Sequence, residues 1–238
     1  MKLTAEMARS YSVSLHTHLA ENDEDIEYSK NHFDMRPGEY AESLNWLGND
    51  VWHAHCVKLS RSESKLFSKT CTGIAHCPSS NMILSSGISP VVAMRDAGCP
   101  VGLGCDGSSS ADSASLWQEA RLAMLQGKLV SGADQMNARM ALEIATRGGA
   151  ACLGRTGEIG ELSVGSVGDV AVWKLEGPQI AGVLDDPIEG WLRCGPFSAT
   201  HVFVQGEQIV DSGVLTNPQL NENLARHRQV AQRFQPKN

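Results

Sequence analysis

Polar residues of ligand type stand at the ends of three short apolar runs. The first run, VSLHTHLA from residue 13, closes on His16-Thr17-His18-Leu19-Ala20-Glu21. Alternate residues of a strand point the same way, so His16 and His18 share a face. His18 lies nearer the strand's end, and Glu21 falls in the loop beyond. A neutral imidazole is a good ligand for a zinc-like ion, and a carboxylate close by can carry a proton. Packed histidines beside a solvated acid would spell the same six residues. The second run ends in His53-Ala54-His55-Cys56. There His55 is nearer the loop and is the functional candidate, while His53 suits a structural role. The third, residues 101–108, ends in Gly104-Cys105-Asp106-Gly107. Asp-Gly favours turns, yet a carboxylate at that place can also bind a metal and take a proton from metal-bound water. A fourth segment, Ala75-His76-Cys77-Pro78-Ser79-Ser80-Asn81-Met82, offers hydrogen-bonding groups in a loop stiffened by Pro78. Capping of the next element by Asn81 competes there with a role toward a ligand. Each signal is weak alone; their order and equal placement on successive units carry the argument.

Such residues converge only if the runs are neighbouring parallel strands. Before residue 155, apolar runs at residues 13–20, 50–56, 73–77 and 100–105 read as strands. Segments of helical period lie between and around them, at 5–11, 39–47, 60–69, 90–97, 113–126 and 137–151. Strands alternating with helices imply βα units on a parallel sheet, whose strand ends are where active-site groups project. A closed (β/α)8 barrel needs eight strands and roughly 250 residues. The expected fold is therefore α/β, with residues 1–154 forming half of a TIM-like barrel. Residues 155–218 alternate apolar and polar side chains around turns at Gln205-Gly206-Glu207 and Ser212-Gly213, the pattern of a small antiparallel β region. Residues 219–238 read as a polar C-terminal helix.

Composition narrows the function classes. The chain has 238 residues, 42% of them hydrophobic, enough for a sizeable core. No run approaches the roughly 20 apolar residues of a membrane span, and the opening MKLTAEMARSYSVS has no apolar signal region. The net charge of −7 is spread along the chain, which disfavours nucleic acid or an anionic membrane as partner. Seven cysteines, an odd number with no C-x-x-C pair, point to reduced, buried thiols. The expectation is a soluble, cytoplasmic protein.

At these residues the sequence resembles the amidohydrolase superfamily, in its aminohydrolase (deaminase) branch. HTHLAE is similar to that branch's fifth-strand motif, AHCV to its sixth, HCPSSN to its seventh and GLGCDGSSSAD to its eighth. Residues 76–128 are especially similar to 8-oxoguanine deaminases; triazine-ring hydrolases and adenosine-type deaminases are sister groups. The resemblance implies one divalent metal, zinc by family habit, with His18 and Asp106 as ligands. It implies that His55 orients the activated water, that Asp106 also accepts a proton, and that Glu21 protonates a ring nitrogen. Glu21, His55, His76 and Asn81 form the expected set of substrate contacts. The implied reaction is hydrolytic deamination of a purine-type heterocycle, 8-oxoguanine to urate and ammonia, in which hydroxide attacks the amino-bearing carbon. An adenosine derivative or a triazine is the alternative substrate. The branch's first strand carries a His-x-His ligand pair that does not occur before His16, so the four strands correspond to strands five to eight, a C-terminal half. A non-catalytic fragment that requires a complementary half is the competing expectation. Members of the family are often homo-oligomers.

Overall fold

The computed structural model describes residues 1–235. The chain packs as two units: residues 1–166 with 179–196, and residues 167–178 with 197 onward.

The first unit opens with α1 (Lys2–Ser10), whose buried face is Ala5 and Ala8, and β1 (Leu15–Leu19). Next come α2 (Asp23–Phe33) and α3 (Pro37–Ser43), then β2 (Val51–His55). α4 (Arg61–Thr70) starts in a capping box, in which Ser60 accepts from the Glu63 backbone and Glu63 reaches back to the Ser60 N–H. β3 (Gly73–His76), α5 (Pro78–Ile83), α6 (Val91–Asp96) and β4 (Val101–Leu103) follow. The four strands form one parallel sheet in the order β1-β2-β3-β4, so each crossover returns to the next position. The register sets Leu19 beside His55, Ala54 beside Ala75, and His76 beside Leu103. Among the described residues β1 and β4 each pair on one side only.

α7 (Leu116–Ser131) is followed by α8 (Ala138–Glu143), a π-helical turn (Ile144–Gly148) and α9 (Gly149–Cys152). A single helix was expected over 137–151; a wider turn interrupts it where backbone meets backbone. A Cβ on Gly148 would lie 2.0 Å from the Val101 carbonyl oxygen, and one on Gly102 would lie 2.9 Å from the α-carbon of Gly149. Only glycine permits that approach. The main core holds Phe67, Ile74, Met94, Val101, Met124 and Leu192, and a second cluster under α1 joins Ala5, Leu15, Trp46 and Val51.

Three helices depart from the expected pattern, and the first is α5, which replaces the expected loop and takes Asn81 inside it. α2 lies in a polar stretch with Ser29 as its one buried residue, so no apolar stripe announces it. Its signals are the Asn22 cap, which accepts from the Asp25 N–H, and three acids in its first turn. α10 (Pro187–Cys194) lies inside the expected antiparallel region yet packs with the first unit. Leu192 is fully buried in the main core, and Glu189 accepts from the Ala138 N–H at 2.8 Å. Residues 155–166 and 179–196 thus belong to the first unit.

The second unit is an antiparallel sheet of β5 (Val170–Val172), β6 (His201–Val204), β7 (Glu207–Asp211) and β8 (Val214–Leu215), with α11 (Leu220–Gln232) after it. None of its described residues is fully buried. All seven cysteines are free thiols. Among the described residues no helix is long and apolar enough to cross a membrane.

Candidate metal centre

The ends of β1, β2 and β4 converge. β1 stops one residue past His18, β2 stops at His55, and Asp106 follows β4 closely. The chain leaves each of these strands through a residue in the left-handed region: Ala20 at φ 50°, His55 at 68° and Asp106 at 58°. Non-glycine residues hold such angles at a cost, where their surroundings over-determine them.

One nitrogen each of His18 and His55 and one oxygen of Asp106 all lie within 4.8 Å of one another. His18 Nε2 is 3.9 Å from Asp106 Oδ1; His55 Nε2 is 3.8 Å from Asp106 Oδ2 and 3.7 Å from Glu21 Oε2. The His18 and His55 rings stack with centroids 5.0 Å apart. These separations are too long for direct hydrogen bonds. The donors face a shared space rather than each other. Two imidazole nitrogens and a carboxylate are a donor set that suits zinc and leaves a position for water. His55 is buried at 1% exposure, Glu21 and Asp106 are mostly covered, and the His18 side chain is 61% exposed on the edge strand. The open side of the cluster is therefore the β1 side.

Burial alone would raise the Asp106 carboxyl. Hydrogen bonds from Ser80, the Gly107 N–H and Ser110, together with His55, outweigh it and hold the group below its ordinary 3.8. Both hydroxyls converge on Oδ2, Ser80 at 2.5 Å and Ser110 at 3.1 Å. On the far side of the His55 ring, Nδ1 lies 2.8 Å from Asn81 Oδ1.

The remaining expected residues sit elsewhere. His76 is fully buried beside Gln126, and burial pushes it down to about 3. Among the described residues no ion pair or ring contact joins it to the cluster, although the charge of His55 reaches it. Asn81 is also fully buried, with its oxygen engaged by His55. His53 is the structural residue expected of it: Nε2 lies 2.9 Å from the Trp46 carbonyl oxygen, the Phe67 ring packs at 5.5 Å, and burial pushes it down to about 4. His16 stacks on Trp52 with centroids 5.0 Å apart. Ser80 and Ser110 are functional candidates that residue type and spacing did not single out. Their signals are hydroxyl runs close behind strand ends, Ser79-Ser80 after Pro78 and Ser108-Ser109-Ser110 after Gly107.

The model of the amidohydrolase family matches residues 1–212. An 8-oxoguanine deaminase from Pseudomonas aeruginosa is 40% identical over 231 residues, which is 97% of this chain and 51% of that protein. The crystal structure of an adenosine deaminase from Xanthomonas campestris with bound zinc has a TM-score of 0.93 at 25% identity, covering 98% of this chain and 53% of that one. An atrazine chlorohydrolase from Arthrobacter aurescens, complexed with zinc, has a TM-score of 0.87 at 33% identity, covering 95% and 50%. The chain spans about half the length of the curated relatives it matches.

Proposed function

This chain belongs to the amidohydrolase family, and from that premise we propose that it supplies the later half of a metal-dependent aminohydrolase site acting on a purine-type ring. The substrate in this reading is 8-oxoguanine and the products are urate and ammonia. One observation carries it: His18, His55 and Asp106 offer donor atoms within 4.8 Å of one another, with Glu21 next to His55. His18 and Asp106 would hold a divalent ion, zinc by the character of the donors, and once bound it would bring the pKa of its water down toward neutrality. His55 Nε2, which faces both carboxylates, orients the attacking water over the amino-bearing carbon. Asp106 accepts the water's proton. Glu21 delivers a proton to the adjacent ring nitrogen and takes back the hydroxyl proton as the carbonyl forms, and Asp106 returns its own to the leaving amine. A C–O bond forms, a C–N bond breaks, and ammonia leaves with no net change in the protein.

The 40% identity to the Pseudomonas deaminase favours this substrate. The four parallel strands are read as strands five to eight of a (β/α)8 barrel, in keeping with relatives of about twice this length. A cytoplasmic setting and homo-oligomeric assembly belong to the same reading. The likeness to adenosine deaminase and to atrazine chlorohydrolase supports a second one, an adenosine derivative or a triazine as substrate. Product release from 8-oxoguanine, guanine, 5'-methylthioadenosine and a chlorotriazine, measured side by side with zinc-loaded protein, separates them. The highest kcat/KM is expected on 8-oxoguanine; a higher value on another ring overturns that substrate. Zinc analysis separates an enzyme from a non-catalytic fragment, with about one tightly held ion per chain expected of the enzyme.

A further inference from the structure

β3 contributes no member of the cluster, yet the short helix that follows it reaches the residues on both sides. α5 starts at Pro78, immediately after Cys77, and Ser79, Ser80 and Asn81 are all buried. The helix is held in place: the Asn81 N–H donates to the Cys77 carbonyl at 3.0 Å, and the Ser79 N–H to buried Glu119 of α7 at 2.9 Å. From this fixed base Asn81 Oδ1 meets His55 Nδ1 at 2.8 Å, and Ser80 Oγ meets Asp106 Oδ2 at 2.5 Å. His55 arrives from β2, on one side of β3, and Asp106 from beyond β4, on the other.

We infer that Ser80 and Asn81 form a single positioning unit, which sets the tautomer of His55 and the orientation of Asp106; it rests on the catalytic reading of those two residues given above. An amide oxygen only accepts, so Asn81 fixes the ring hydrogen of His55 on Nδ1 and leaves the Nε2 lone pair toward Glu21 and Asp106. A ring protonated on Nε2 would instead point its hydrogen into the space the donors share. Ser80, with Ser110, occupies Oδ2 of Asp106 and leaves Oδ1 as the oxygen nearest His18. Partners that orient a ligand in this way matter nearly as much as the ligand itself.

Nitrogen NMR on the metal-free, 15N-histidine-labelled protein reads the tautomer directly, with the His55 signals assigned by their loss in His55→Gln. The wild type is expected to carry hydrogen on Nδ1, Asn81→Asp to keep it there, and Asn81→Ala to move population to Nε2–H. A wild type protonated on Nε2, or an Asn81→Ala spectrum with the wild-type tautomer, overturns the inference. Should Asn81→Ala not fold, the wild type and Asn81→Asp decide. Zinc affinity, measured by competition with a chromophoric chelator, tests the other half. Ser80→Ala is expected to weaken binding about 10–100-fold and Ser80→Thr to recover most of it, while unchanged affinity in Ser80→Ala counts against the unit. Because the tautomer is read without metal or substrate, failure to take zinc or to release ammonia bears on the proposed function, and a wrong tautomer bears on this inference.

Discussion

In the proposed mechanism Asp106 serves two chemistries with two oxygens. Ser80 and Ser110 hold Oδ2, the hydrogen bonds keep the carboxyl ionised against its burial, and Oδ1 stays open toward His18. Asp106→Asn keeps the shape and one acceptor but cannot take a proton. Turnover is expected to fall by about 10²–10⁴-fold or more with an unchanged circular-dichroism spectrum, and undiminished turnover would refute the assigned role. Glu21→Gln is expected to keep its zinc and lose a similar factor in kcat, since an amide carries no proton. Metal analysis of that variant decides whether Glu21 is an acid or a ligand, because loss of zinc would make it a ligand. At this scale the strand-end residues His18, Glu21, His55 and Asp106 were legible in the sequence; the full burial of His76, spelled in the same way, was not. Strand alternation places it on the row of Ile74, a fully buried core residue, and the polar letter gave no warning.

Between elements, one buried carboxylate ties three segments together. Glu63 of α4 accepts from Arg36 at 2.7 Å, from the Gly38 N–H at 2.8 Å and from the Ser60 N–H at 2.7 Å, while Arg36 also donates to the Lys58 carbonyl. Burial would raise its pKa, but these partners prevail and hold it below the ordinary 4.5. A depressed folded value contributes stability that is complete above the unfolded value and is lost as pH falls through the folded one. Unfolding free energy should therefore decline on acidification below about 4.5, and Glu63→Gln should remove that part of the slope. At neutral pH the same change is expected to cost toward the lower end of about 3–5 kcal/mol, because Arg36 keeps some access to water; denaturant titration at several pH values checks both. The glycine pair after α8 offers a sharper contrast. Gly148→Ala drives a Cβ into the Val101 carbonyl, whereas a Cβ on Gly149 meets nothing within 4 Å. The first is expected to destabilise by at least about 1–3 kcal/mol; the second is expected to be neutral, or to stabilise by about 0.5–1 kcal/mol. Equal effects in thermal melts would place the close approach elsewhere.

In the whole molecule the candidate centre lies where three strands end, and what binds there should stabilise the folded chain. With free zinc at a hundred times its Kd, linkage adds about 2.7 kcal/mol; the gain should vanish with a chelator and in His18→Ala. A melting temperature indifferent to zinc in the wild type would remove the metal from this site. The sequence by itself determined the strands, the alternation of strand and helix, and the residues at the strand ends, because apolar runs and their period are local properties of the chain. It did not determine α2 or α10, whose polarity or surroundings hide the burial that holds them. Nor could it decide which polar residues meet. His53 and His55 share one face by strand alternation and are equally buried; the first packs against Trp46, and the second, where the strand ends in a left-handed turn, faces Glu21 and Asp106. Only the register of β2 between β1 and β3 brings His55 to His18 and Asp106, and only the clamped α5 hands it Asn81. Those meetings depend on distance in space, which side-chain type and spacing along the chain do not encode.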